Sequence, residues 1–501
     1  MNFCTNTRTI RLLTFISLLL AYQYQQTLAQ VPTSRYWQLY DELHPVDDHN
    51  PRRLNGAVAM YKNEIIAAKY GTAYVYSLAD NGTWQTTALE PTGDKNSAYG
   101  FAVAIHGNYA IVGAHADYQQ EYNPGQAFIL ERNAKKQWQF KVRLEAPVPK
   151  IKDEFGYAVA ISDNYAVVGA PGRDGGAAYV YQRNKNGQWG LQKAVLPLDS
   201  LHYSERFGHS VAITSSGSQI IVGNPNQNDE RGVAYIFTRD NRWQQTYKLL
   251  PSDPQRHDSF GWSVTITEQQ VLIGAPQMRF RTGKAYIFKR QKLTNWAEQA
   301  ILSPPDGYPN DFFGYSVAMS ERWAVIGAAW AKFEYSPDFL RSGGAAYVFQ
   351  RKGDIWRLRD KLFPSEFLAN GQFGRSVGIA NNFIAVGHKG YSIHQRPIAV
   401  FKNSLENTIS PQRNRLITTS MVHKEVKVFP NPVIHTLIIQ QTLNAPNHMG
   451  YSITNQQGKQ VITTLGQFQD SQLKIPVKHL KPGVYFLRLT NSPEVYRFVK
   501  K

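Results

Sequence analysis

Cysteine is all but missing from this chain of 501 residues. Cys4 is the only one, which excludes an intrachain disulfide and a thiolate metal site. Extended apolar runs are scarce as well. The stretch Leu12–Tyr22, LLTFISLLLAY, is short for a bilayer span. Arg8 and Arg11 precede it, and the small residues Thr27 and Ala29 follow. That order predicts an export signal over residues 1–29, cleaved after Ala29, with an uncleaved anchor as the alternative. Cys4 precedes the apolar run, the wrong place for lipid attachment. Acidic residues are few, 37 against 55 Lys and Arg, for a net charge of +18. Such a balance favours acidic partners, anionic polysaccharide or lipopolysaccharide among them. The basic residues form only short pairs such as Lys135-Lys136, so the charge is not a nucleic-acid footprint.

A repeat is what the chain has in abundance. Phe155–Pro171 reads FGYAVAISDNYAVVGAP, and close copies start at Phe207 and Phe260. The aromatic-Gly pair occurs at Tyr99, Phe155, Phe207, Phe260, Phe313 and Phe373, with a worn copy at Gly56, most of them 52 to 56 residues apart. Each unit reads as four strands. The first two are nearly continuous apolar runs, as in strands buried on both faces, and polar turns ending at Trp join the third to the fourth. Four-stranded units repeated at this period predict a seven-bladed β-propeller over residues 36–402. The outer Trp strand also occurs seven times, at Trp37, Trp84, Trp138, Trp189, Trp243, Trp296 and Trp356. Its first copy precedes the first unit, so residues 37–45 are expected to supply the missing outer strand of the last blade and remove an open edge.

Connections 2→3 and 4→1 share one face of such a ring. The 2→3 loops are long and varied, which is where binding residues sit on a rigid frame. Their aromatic and Arg side chains are the candidate ligand contacts: Tyr118, Tyr122, Arg279, Phe280, Arg281, Trp330, Phe333, Tyr335, Phe339 and Tyr391. An acid stands two residues before Phe in four units, at Asp153, Glu205, Asp258 and Asp311. Two readings stand: a ring of carboxylates for a cation or basic ligand, or caps on the tight 4→1 turns.

The Phe-Gly and Gly-Ala-Pro pattern resembles the FG-GAP repeats of integrin α-subunit propellers and bacterial surface proteins. Gly169-Ala170-Pro171 and Gly274-Ala275-Pro276 match in full, while Gly113-Ala114-His115, Gly223-Asn224-Pro225 and Gly327-Ala328-Ala329 are variants. Calcium-binding members carry a loop of closely spaced carboxylates between strands 1 and 2. The corresponding turns, such as SDN at Ser162 and TEQQ at Thr267, lack it, so no metal and no cofactor is expected. His202, His209 and His257 are isolated, and H-E-x-x-H is not present. DNGTW at Asp80 is one residue short of a sialidase Asp box. Enzymes with FG-GAP repeats generally place their chemistry on another domain. The expectation is therefore a chain that is not an enzyme and has no catalytic residue, although carboxylates can still meet across a channel.

Past a polar linker at residues 403–424, short alternating strands over residues 425–501 read as a small Ig-like β-sandwich, completing an all-β chain. This segment resembles the type A C-terminal sorting domain of the Bacteroidetes type IX secretion system. The matching residues are Pro430, Asn431 and Pro432, Gly458, Pro482 and Gly483, Tyr485 and Phe486, and Lys500 and Lys501; an ordinary binding module is the alternative. The resemblance implies passage through both membranes, engagement of the type IX machinery, and a secreted or surface-attached product. The functional expectation is a binding or adhesion-type protein that contacts a protein or glycan through the long-loop face. A structural part of an envelope complex and a glycan-active propeller are the alternatives.

Overall fold

The computed structural model describes residues 36–44, 54–69, 71–90, 98–115, 123–172, 174–199, 202–277, 281–292, 295–332, 343–365, 371–388, 398–404, 426–429, 436–441, 448–455, 460–467, 472–489 and 495–500. The chain divides into two compact units, Met1–Ile409 and Ser410–Lys501.

The first unit is the predicted seven-bladed propeller. Blade I holds β2 (Leu54–Tyr61), β3 (Glu64–Lys69), β4 (Thr72–Leu78) and β5 (Trp84–Leu89). Blade II runs from β6 (Tyr99–His106) to β9 (Trp138–Leu144), and blade III from β10 (Ala158–Ile161) to β13 (Trp189–Val195). Blade IV spans β14 (Ser210–Ile213) to β17 (Trp243–Leu249), and blade V spans β18 (Ser263–Ile266) to β21 (Asn295–Leu302). Blade VI covers β22 (Phe313–Met319) to β25 (Ile355–Leu362). Blade VII takes β26 (Ser376–Ala380), β27 (Phe383–Gly387) and β28 (Ile398–Asn403), with β1 (Trp37–Leu43) as its outer strand. β1 pairs antiparallel with β28, from Trp37 opposite Asn403 to Leu43 opposite Ile398. The inner strands β2, β6, β10, β14, β18, β22 and β26 neighbour one another in a closed cycle around a channel.

The core of this unit lies in its seams. Seven buried apolar clusters each join two adjacent blades, including one between blades VII and I with Leu43, Val58, Tyr74, Phe383 and Ile398. Phe155, Phe207, Phe260 and Phe313 are fully buried there. Each packs on two aromatics of its own third strand, as Phe260 does on Tyr286 at 5.3 Å and Phe288 at 6.1 Å. Burying each such ring stabilises by roughly 1.5–3 kcal/mol.

The two glycines of the repeat meet across the same seams. Gly156 turns into blade III at φ 90, a conformation that disfavours side chains. A Cβ on it would sit 2.1 Å from the carbonyl oxygen of Gln126 in blade II. A Cβ on Gly169, of the Gly-Ala-Pro end, would sit 2.0 Å from the Gly208 carbonyl of blade IV. Gly387 meets Gly56 in the same way, so the seam that closes the ring is built like the others.

The second unit is the small sandwich. One sheet has the order β29 (Val426–Phe429), β30 (Thr436–Gln441), β33 (Gln472–Pro476). The other has the order β32 (Gln460–Gln467), β31 (His448–Asn455), β34 (Gly483–Leu489), β35 (Val495–Lys500). Leu437, Ile453, Ile475 and Leu487 are fully buried.

Candidate functional site

Each 4→1 turn delivers one residue, the one after its Phe-Gly, to the rim of the central channel. In ring order these are Ala57, Phe101, Tyr157, His209, Trp262, Tyr315 and Arg375, and all line a cavity of about 510 Å³. They form a collar. Phe101 and Tyr157 lie 4.9 Å apart between ring centres, Tyr157 and His209 5.0 Å, His209 and Trp262 4.4 Å, and Trp262 and Tyr315 5.5 Å. The Arg375 guanidinium continues the series 5.3 Å over the Tyr315 ring. Ala57, the residue of the worn unit, leaves the one small position between Arg375 and Phe101. Two 2→3 connections add to the collar: His115 stacks on Phe101 at 3.8 Å, and Trp330 packs on Tyr315 at 5.2 Å and Phe312 at 4.9 Å.

Hydrogen bonds fix the proton positions. His209 Nδ1 lies 3.0 Å from the Trp262 carbonyl oxygen, which can only accept, so Nδ1 carries the proton. Nε2 then accepts from the Tyr157 hydroxyl at 3.3 Å. Burial, with the nearby Arg206 charge, pushes His209 down to about 3, so the ring is neutral at physiological pH. Burial pushes Tyr157 up to about 12, while Arg206 and Arg375 pull the other way. The two arginines differ in their company. Arg206 lies 5.1 Å over the Tyr157 ring and donates to Glu154 at 2.6 Å. Arg375 donates to Gln372 Oε1 at 3.2 Å and has no carboxylate partner among the described residues.

The four turn acids lie on this face. Asp153 accepts from the Lys150 backbone N–H at 2.7 Å, Asp258 from Gln255 at 2.7 Å and Asp311 from Tyr308 at 2.8 Å. These three cap their turns. Glu205 instead accepts from Asn224 Nδ2 at 2.8 Å, in the blade where Asn replaces the Ala of Gly-Ala-Pro. Burial raises Asp258 and Asp311, the latter to about 6, against the backbone donors that favour the charged form.

Of the loop residues singled out by sequence, Arg281 and Trp330 are described. Arg281 Nη1 reaches Asp258 Oδ1 at 3.4 Å, and Trp330 joins the collar. Tyr118, Tyr122, Arg279, Phe280, Phe333, Tyr335, Phe339 and Tyr391 lie outside the described residues. In the second unit, Gly483 pairs with Lys500 and Tyr485 with Phe498, and Phe486 lies on the same strand, which Pro482 immediately precedes. The Tyr485 hydroxyl donates to the Lys481 carbonyl at 2.9 Å. Pro430, Asn431, Pro432, Gly458 and Lys501 lie outside the described residues. Sequence reasoning missed the collar, although the signal, a large side chain after most Phe-Gly pairs, was there.

The FG-GAP repeat family matches residues 88–130, 138–181, 243–288 and 296–349. The secretion system C-terminal sorting domain family matches residues 427–501. No curated protein matches the chain. Among solved structures, the periplasmic gluconolactonase of Pseudomonas aeruginosa is similar at 11% identity and a TM-score of 0.42, over 70% of this chain and 98% of that one. The expectation that the chain is not an enzyme is corrected on this point. A structural neighbour is an enzyme, and the letters G-x-S-x-G do occur at Gly374–Gly378, where Ser376 Oγ bonds the Val58 backbone, so the sequence does not establish that this propeller is without activity. At that distance the likeness gives this chain neither a substrate nor a residue.

Proposed function

We propose that this chain, a type IX-secreted or cell-surface protein built from FG-GAP repeats and a C-terminal sorting domain, binds a protein or glycan ligand on the collar face of its propeller. Export rests on the sorting domain, which engages the type IX machinery. The observation that carries the binding reading is the collar, where seven blades each place one residue, four of them aromatic, at one channel mouth. Aromatic and Arg side chains on a rigid frame are the usual anchors of recognition. Trp330 and Arg281 extend that surface, and the loop residues Tyr118, Tyr122, Arg279, Phe280, Phe333, Tyr335, Phe339 and Tyr391 are proposed as further contacts.

The test is a glycan and matrix-protein array probed with the secreted full-length chain. Beside it run a Trp330→Ala, Arg281→Ala variant and a control changed on the opposite face, Lys185→Ala. A ligand lost only in the collar-face variant is the expected result. A ligand lost only in the control, one unaffected by either change, or a silent array would overturn the reading.

A further inference from the structure

Resting on that binding reading, we infer the ligand class of the channel itself: the mouth takes the uronic-acid residue of an anionic saccharide, with its carboxylate on Arg375. The Arg375 guanidinium sets the charge of the ligand. Arg has five N–H donors and no acceptor, and the described partners of Arg375 are Gln372 Oε1 and the Tyr315 ring face. Arg206, by contrast, is already neutralised by Glu154. Arg375 also acts on the Tyr157 hydroxyl, three blades away around the ring, so its charge is felt across the mouth. A planar carboxylate is the group that matches a guanidinium fork left unfilled by the described residues.

The rest of the cavity selects a sugar over an acidic side chain. Trp262, Tyr315 and Phe101 bring aromatic rings to the rim, and their electron-rich faces attract the polarised C–H bonds of a pyranose. Below them the wall is made by inner strands, each of which is the first strand of its sheet and bonds to a neighbour on one side only. Their free edges present backbone donors and acceptors to the channel, suited to hydroxyl groups. At about 510 Å³ the cavity is in the range of small-ligand sites, roughly 300–1,000 Å³. That fits one or two sugar residues. The net charge of +18 over the full chain favours an anionic ligand at long range.

Calorimetry on the full-length chain tests this with three probes: trigalacturonate, its neutral galactose counterpart and triglutamate. Trigalacturonate is expected to bind at least tenfold more tightly than either of the others, and more weakly as salt rises. Arg375→Gln should lose at least tenfold in affinity, with Arg375→Lys in between. Should Arg375→Gln fail to fold, Tyr157→Phe and Arg375→Lys, which keep the ring and the charge, supply the comparison. Equal binding of the neutral sugar, preference for triglutamate, or no binding of trigalacturonate would each overturn the assignment. An array ligand lost in the Trp330→Ala, Arg281→Ala variant but kept in Arg375→Gln leaves the collar-face reading standing and sinks this one. Silence both on the array and in the calorimeter sinks both.

Discussion

The two faces of the propeller are made from the same seven blades, but they are built to different standards. On the face of the 1→2 and 3→4 turns the connections are short and satisfy themselves locally. Asn133 and Asn184 each accept two backbone N–H bonds within their own hairpin, from Lys135 and Gln137 and from Asn186 and Gln188. The collar face carries buried carboxylates, an arginine with no carboxylate partner among the described residues, and left-handed backbone. Fifteen described non-glycine residues have positive φ, and only Lys62, Lys136 and Asn381 lie on the hairpin face. Left-handed conformations cost roughly 1–2 kcal/mol per residue and persist where surrounding structure over-determines them, often at functional sites. The hairpin face is made for stability, and the collar face gives some of it up to hold an arrangement.

The largest test of that contrast compares two glycines with similar backbone. Gly156 enters the collar at φ 90, and Gly187 sits in a hairpin at φ 76. A Cβ on Gly156 meets the Gln126 carbonyl oxygen at 2.1 Å, whereas one on Gly187 meets nothing closer than Lys141 Nζ at 3.7 Å. Gly156→Ala is expected to cost about 4 kcal/mol, in the range reserved for severe packing faults. Gly187→Ala is expected to cost about 1 kcal/mol, the conformational term alone. Urea midpoints of the full chain decide the matter, and similar losses at both sites would erase the distinction between the faces.

Acid strength probes the contrast at the next level. Asp311 is raised to about 6 in the folded protein, chiefly by burial, against about 3.9 in an unfolded chain. Between those values the folded state holds the extra proton, so this group makes the protein more stable as pH falls from 7 toward 4. Well above pH 6 the penalty is fully present, at about 3 kcal/mol. The Tyr308 and Lys332 N–H groups donate to different oxygens of Asp311, so Asp311→Asn keeps an acceptor for one of them and has no proton to gain. The parent should therefore gain stability relative to Asp311→Asn as pH falls from 7 toward 4. Asp354, on the hairpin face and fully exposed, is held low by Lys289, and Asp354→Asn should show the opposite slope. A flat difference for Asp311→Asn across pH 4 to 7 would show that its carboxyl is not buried as described.

The ring was legible because its seams are written as local words. Phe-Gly and Gly-Ala-Pro lie close together in sequence, and each pair of glycines meets its neighbour in the next blade, so counting the words counts the blades. The sorting domain was legible for the same reason, through Pro482-Gly483 at the start of one strand and Tyr485-Phe486 along it. The collar was not. Its members differ in type, from Ala57 to Arg375, and lie up to 318 residues apart. Only ring closure brings them to one rim, and no linear spacing encodes that. The expectation that the chain is not an enzyme rested on the same kind of search, and a search for local motifs cannot see groups that converge across a channel. The turn acids fell between these cases. Asp153, Asp258 and Asp311 behave as local capping chemistry predicts, but Glu205 follows Asn224, a change in another strand.

The finest test asks whether the left-handed backbone on the collar face stores more strain than the same backbone elsewhere. Lys152 has φ 67 in the turn into blade III, and Lys62 has φ 52 in a hairpin turn. Replacing either with Gly removes about 1–2 kcal/mol of local cost and adds about 0.5–1 kcal/mol of chain entropy. If the strain belongs to the residue alone, Lys152→Gly and Lys62→Gly each gain about 0.5 kcal/mol, read as equal shifts in the urea midpoint. A clearly larger gain at Lys152 means that the Asp153 cap holds its turn against a further tension in the collar. A gain at Lys62 with none at Lys152 would mean that the collar face is relaxed where it is, and that its irregular backbone is geometry rather than stored energy.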